Sequence, residues 1–246
     1  MLAIRRDKEI HAEEGGWFSA RWHFSFGSWF DPDQMGLGPL RVFNDDRLVP
    51  GAVWPMHPHR DVEGLTYVVE GSFRHADSLG NDGVLGPGSV QRMTLGAGAE
   101  HSEQNASATE PMRFLQLWIL PDRANLPPSA EQRAWTKEDH RDRLHQVIGP
   151  ARGVGDGDWV LVNQDAGVHV GLLSPGVEVG HELPAGRGAY LYVIGGRALL
   201  NGQPLATGDA ATATGESLRL RAEDETELIV VDVPLEFTPV GVWRAE

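Results

Sequence analysis

The sequence predicts an all-β protein, two small antiparallel β-barrels in one chain. Three observations predict it. Apolar, β-branched runs recur at roughly 8–12 residues, the spacing of sandwich and barrel strands. Turn formers separate them, with 30 glycines and 16 prolines among 246 residues. The second half of the chain then repeats the plan of the first. A chain of this length can form one large domain or two of about 120 residues, and either can bury a core.

In chain order, Leu65-Thr66-Tyr67-Val68-Val69 is a β-branched and aromatic strand that stops at Glu70-Gly71. Residues 72–76 return as its hairpin partner, and Ser78-Leu79-Gly80-Asn81-Asp82-Gly83 is a dense turn signal. Gly86-Pro87-Gly88 is another, ahead of a strand over residues 89–94, and residues 113–120 are apolar enough for a buried strand. Residues 121–158 differ. After Pro127-Pro128, Ser129-Ala130-Glu131-Gln132 reads as a capping box opening a short helix. Charge is heavy over residues 137–143, and Gly-rich ARGVGDGD follows Pro150. This stretch is expected to join two halves, residues 1–134 and 135–246. In the second, AYLYVIGGRALLNGQPLATGDAATAT repeats the plan of LTYVVEGSFRHADSLGNDGVLGPGSV, turning at Gly195-Gly196 as the first turns at Glu70-Gly71.

Lys and Arg number 21 against 35 Asp and Glu, a net charge of −14. Such a surface repels phosphate backbones and anionic membranes, so direct nucleic-acid binding is not expected. With no cysteine, disulfides, thiolate metal sites and cysteine nucleophiles are excluded. The charged start MLAIRRDKEIHAEEGG lacks the apolar core of a signal peptide, and no run approaches the roughly 18 apolar residues of a membrane span. The expected location is cytoplasmic.

Of 10 histidines, three stand out in His57-Pro58-His59 and His101-Ser102-Glu103. Residues i and i+2 of a strand share a face. His57 with His59, and His101 with Glu103, can therefore converge from two strands. Such a nitrogen and oxygen set suits a divalent first-row ion: Fe, Mn, Co, Ni, Cu or Zn. Glu63, odd-numbered like the histidine pair, is a competing carboxylate.

Gly51-x5-His57-x-His59-x3-Glu63 and Gly96-Ala97-Gly98-x2-His101-x3-Asn105 resemble the two cupin motifs, with Gly96 where proline is usual. The longer strings HPHRDVEGLTYVVEGSFRHADSLGN, GPGSVQRMTLGAGAEHSEQN and LQLWI resemble the pirin family. FSFGSWFDPDQMGLGPLRVFNDD resembles its bacterial branch. The similarity is dense from about residue 17 to 121. It implies a bicupin, two jelly-roll-like barrels (double-stranded β-helices), with one metal in the first barrel held by His57, His59, His101 and Glu103. Glu63 then reads as a supporting residue. The ion implied is Fe(II) before the other five. The activity implied is that of a quercetin 2,3-dioxygenase: Glu103 takes the flavonol 3-hydroxyl proton, dioxygen adds across C2–C3, and carbon monoxide leaves. Partners are then a small aromatic hydroxyl compound and dioxygen, with the chain a monomer. The alternative from the same resemblance is a metal- or redox-responsive regulator acting through a protein partner. A weaker third is a cupin isomerase or sugar-binding module.

The second barrel is expected to have no site. His169 and His181 lack a His-x-His partner, and Tyr190 and Tyr192 read as strand residues. Trp17, Trp22 and Trp29, with Phe18, Phe24, Phe26 and Phe30, read as packing before pocket wall. His23 reads likewise. Asp61 could orient a ligand histidine or pair with Arg60 at the surface. Ser102 should face away from His101 and Glu103.

Overall fold

The computed structural model describes residues 1–151 and 157–244. Apart from three single-turn 3-10 helices (Asp7–Glu9, Lys137–His140 and Gly241–Trp243), its regular structure among the described residues is strand. The first half holds β1 (Leu2–Arg5), β2 (His11–Glu14), β3 (Phe18–Trp22), β4 (Leu40–Leu48), β5 (Val53–His59) and β6 (Glu63–Glu70). It continues with β7 (Phe73–Asp77), β8 (Asp82–Leu85), β9 (Val90–Thr94), β10 (Ala99–Asn105), β11 (Met112–Ile119) and β12 (Ser129–Arg133). The second holds β13 (His145–Pro150), β14 (Val160–Val162), β15 (Gly167–Leu173), β16 (Glu178–His181) and β17 (Arg187–Gly195). It ends with β18 (Arg197–Leu200), β19 (Gln203–Ala206), β20 (Ala210–Thr214), β21 (Leu218–Ala222) and β22 (Thr226–Pro234).

Each half is a jelly-roll pair of sheets. The first has a seven-stranded sheet, β12-β9-β6-β11-β4-β3-β2, and a four-stranded sheet, β5-β10-β7-β8. The second has β1-β20-β17-β22-β15-β13-β14 and β16-β21-β18-β19. The expected barrels are thus sheet pairs; no sheet closes on itself among the described residues. The internal repeat is visible in the pairing. β6 pairs with β9, β17 with β20, and both β7-β8 and β18-β19 are hairpins. Gly71 and Gly196, each at the bend before its hairpin, have φ of 81° and 90°. There an added Cβ would meet backbone carbonyls at 2.4 and 2.3 Å, which only glycine avoids.

One expectation about the connection changes. The short helix expected at Ser129 is instead β12, paired with β9 from Ser129↔Thr94 to Arg133↔Val90. Pro127 and Pro128 hold the approach extended, and the open edge of β9 satisfies more backbone groups than one isolated turn could. A capping box does form seven residues on, where Thr136 donates from its backbone N–H and its hydroxyl to Asp139, each at 2.8 Å. The N-terminal β1 hydrogen-bonds to β20, in the sheet of the other half. Most of ARGVGDGD lies outside the described residues.

The core sits in three places. Between the halves, Phe43, Leu65, Leu115 and Leu117 of one seven-stranded sheet pack against Tyr190, Tyr192, Ile229 and Val231 of the other. Inside the second sandwich, Leu191, Leu200, Leu218, Leu220 and Leu228 form one continuous cluster. Inside the first, the apolar core is split: Leu48, Phe73, Met112 and Phe114 form one cluster and Val62, Met93, Leu95 and Leu120 another. Each fully buried Leu, Val or Phe contributes about 1.5–3 kcal/mol. Polar side chains lie in the first sandwich where the second has leucine.

Candidate metal centre

The first sandwich's polar interior is built on β5 and β10. Their antiparallel register sets His101 opposite His57 and Ala99 opposite His59, then slips so that Glu103 faces Trp54. Pro55 has no N–H for the ladder, which is where such a slip is expected. β10 alternates buried and less buried residues, so His101 and Glu103 share the inner face and Ser102 lies on the other, as the parity predicts. The imidazole centroids of His57, His59 and His101 lie 4.6 to 5.2 Å apart. One ring nitrogen from each lies within 4.8 Å of the other two.

Hydrogen bonds leave these groups with free lone pairs. His57 Nδ1 donates to the Pro55 carbonyl at 2.7 Å, so its Nε2 is the acceptor. His101 Nε2 and Glu103 Oε2 are buried without partners, while Glu103 Oε1 lies 3.4 Å from His101 Nδ1. Burial, then the neighbouring imidazoles, lower His101 to about 2; burial and His57 lower His59 to about 4. Both rings are neutral at physiological pH, the state that binds metal. Burial pushes Glu103 up to about 8. A cation would satisfy both orphaned atoms and reverse the Glu103 shift. The residues fit a divalent ion.

The cavity, about 160 Å³, has aromatic walls from Trp22, Phe26, Trp54, Phe114 and Trp118. Two of the N-terminal aromatics therefore line it. Trp17 and Phe18 pack on Trp54, Trp29 stacks on His11, Phe24 is in the inter-half core, and Phe30 is exposed. Asn44, Asp46 and Gln116 also line the cavity, and none was singled out from the sequence. The signal for the first two was the run Asn44-Asp45-Asp46, which follows the apolar pair Val42-Phe43 in one strand.

Other candidates fall elsewhere. Glu63 is buried and accepts hydrogen bonds from Thr94 Oγ1 at 3.0 Å and Asn163 Nδ2 at 3.3 Å. Gly64, not Glu63, stands opposite the cavity residue Trp118. Parity does not carry from His59 to Glu63 because Asp61, at φ 52°, turns the chain from one sheet into the other. Asp61 orients no histidine: its carboxylate accepts from the backbone N–H of Asn125 at 2.7 Å. The expected pair with Arg60 is present but loose, Arg60 Nε lying 3.9 Å from Asp61 Oδ2, with Arg60 exposed and Asp61 buried. His23 is fully buried against Tyr190, whose hydroxyl is 2.7 Å from its Nδ1.

Residues 4–119 match the Pirin family, and residues 152–233 match the quercetinase C-terminal cupin domain. Quercetin 2,3-dioxygenase of Escherichia coli K12 is 34% identical over 95% of this chain and 99% of its own. The chain belongs to the pirin family. A pirin-like protein of Caulobacter vibrioides is 36% identical, covering 91% of this pirin and 96% of the relative. The nickel(II) complex of the bacterial pirin YhhW from Escherichia coli superposes with a TM-score of 0.88 at 32% identity, over 95% of this pirin and 99% of that chain.

The second half of this pirin keeps the pairing but only one of the histidines. Val179 stands opposite Leu220 and His181 opposite Leu218, where the first half pairs His57 with His101 and His59 with Ala99. His169 and His181 are not isolated, since their rings lie 4.7 Å apart. His181 Nε2 is instead 2.8 Å from Asp232, which also binds Arg187 at 2.6 Å. Among the described residues the only triad of convergent donors is His57, His59 and His101.

Proposed function

We propose that this pirin is a metal-dependent dioxygenase of the quercetin 2,3-dioxygenase kind. The observation that carries the reading is the joint burial of three imidazoles and Glu103, with unpartnered donor atoms, in an aromatic-walled cavity. In this reading His57, His59 and His101 hold a divalent ion through ring nitrogens, and Glu103 through its carboxylate. Fe(II) is the ion we propose; Mn, Co, Ni, Cu and Zn suit the same donor set. The nickel(II) in the Escherichia coli pirin supports a late first-row ion here. When bound, such an ion lowers the pKa of a substrate hydroxyl and polarises it.

The chain's own groups do the rest. Glu103 Oε2 has no competing donor and accepts the proton of the flavonol 3-hydroxyl. Trp22, Phe26, Trp54, Phe114 and Trp118 hold the rings by face and edge contacts and keep water out. The flavonol and dioxygen divide all their atoms between the ring-opened ester and carbon monoxide, so no external reductant is needed. The test is dioxygen uptake with quercetin by metal-free protein and by protein reloaded with each ion. Metal-dependent uptake matched by flavonol loss supports the reading. A metal-loaded protein that consumes no dioxygen overturns it and turns the search to a protein partner.

A further inference from the structure

Facing the histidines across the cavity is a second polar surface, carried by the seven-stranded sheet. β4 and β11 pair there with Asn44 opposite Gln116 and Asp46 opposite Phe114. Side chains two apart share a face, so Asn44 and Asp46 both line the cavity. Asp45, between them, turns the other way and is taken up by Arg113 and Tyr192. Asn44 is 2% exposed and its Oδ1 has no hydrogen-bond partner. Asp46 is 6% exposed, and burial and the nearby carboxylates Asp45 and Glu103 push its pKa well up. Gln116 Oε1 accepts the Thr66 hydroxyl at 3.1 Å. Asp46 is not part of the convergent metal-binding triad.

Buried acceptors without donors are costly and rare in native proteins. Asn44 Oδ1 is such an acceptor, and the buried Asp46 carboxyl stands on the same face of the same strand; together they call for a ligand that brings hydrogen-bonding groups. We propose that Asn44 and Asp46, with Gln116 beside them, form a recognition wall. It selects aromatic compounds bearing at least one hydroxyl beyond the one that meets the histidine end. The substrate class rests on the dioxygenase reading above; the wall rests on the placement of these acceptors. An analogue without the additional hydroxyls leaves Asn44 Oδ1 unpaired and offers Asp46 nothing in a desolvated site. A hydrogen-bonding pocket discriminates against such an analogue far more strongly than an apolar one does.

The test compares quercetin with 3-hydroxyflavone, which has the 3-hydroxyl and 4-keto groups and no other hydroxyl. Full-length protein reloaded with nickel(II) is titrated without dioxygen, read by quenching of its tryptophans, three of which line the cavity. Wild type should prefer quercetin by about 10- to 100-fold, the worth of one to two strong hydrogen bonds. Asp46→Ala and Asn44→Ala should each cut that preference by about three- to tenfold by weakening quercetin alone, with nickel content unchanged. Asp46→Asn, which keeps one acceptor, should recover part of it. If Asp46→Ala does not fold, Asn44→Ala carries the same readout. The proposal is overturned by a wild type without preference, by Ala variants that keep it, or by loss of nickel in Asp46→Ala. Dioxygen uptake by wild type separates the two readings. Preference without uptake sinks the dioxygenase reading and leaves the wall standing, whereas uptake without preference sinks the wall alone.

Discussion

Arg113 holds the cavity wall to the second half, and its removal should be among the most damaging single changes outside the site. Its guanidinium forks onto Asp45, with Nε and Nη2 donating at 2.8 and 2.6 Å. Nη2 also donates to the Ile194 carbonyl on β17 at 3.0 Å, and the Tyr192 hydroxyl donates to Asp45 at 2.5 Å. Arg113 and Asp45 are 8% and 5% exposed. Arg113→Met leaves a buried carboxylate with the Tyr192 hydroxyl alone. Breaking such a pair costs about 3–5 kcal/mol. At roughly 2–4 °C per kcal/mol for a chain of this size, Tm should fall by about 6–20 °C. Asp45→Leu combined with Arg113→Met removes both charges and should recover much of that loss. The assay is thermal and urea unfolding of Arg113→Met, Asp45→Leu, the double variant and wild type, followed by circular dichroism. A single-variant loss under about 1 kcal/mol, the value of an exposed pair, would refute the reasoning. So would a double variant as unstable as the sum of its parts.

Metal analysis after gel filtration should find His57→Ala and His101→Ala stripped of most bound ion, while Glu63→Gln retains it, because Glu63 is engaged by Thr94 and Asn163. Glu103→Gln should weaken the ion and abolish dioxygen uptake; the reverse pattern for the two glutamates would exchange their roles. The His181–Asp232–Arg187 cluster should stabilise the fold only above acid pH. Burial alone would raise Asp232, but the hydrogen bonds from His181 and Arg187 outweigh it and hold its pKa below the ordinary value. Its contribution is therefore present above the unfolded carboxylate pKa, about 3.9, and is lost as pH falls through the lower folded value. Acid titration of Asp232→Asn should show a shallower loss of stability below about pH 4 than wild type, and parallel curves would count against it.

The all-β class, the hairpin repeat and the histidine face were legible in the order of residues alone. Each is local: β-branched runs bounded by glycine turns make strands, and a period of two puts His57 with His59 and His101 with Glu103. Motif resemblance carried the family. The same local reading failed wherever the outcome depended on a distant neighbour. Ser129–Arg133 has a helix-start pattern, but the edge of β9, some 35 residues away in the chain, makes it a strand. Glu63 has the parity of the histidines, yet the left-handed turn at Asp61 sends it toward the other half. Only tertiary structure decided which side of β4 faces the histidines, and so that Asn44 and Asp46 enter the cavity while Asp45 joins Arg113. Only it explains why one half carries the candidate site. In both halves a four-stranded sheet closes over a seven-stranded one, but Val179 and Leu220 pair where His57 and His101 do, and continuous leucine packing fills the space. Strand formation depends on neighbours in sequence, whereas a cavity depends on which faces meet.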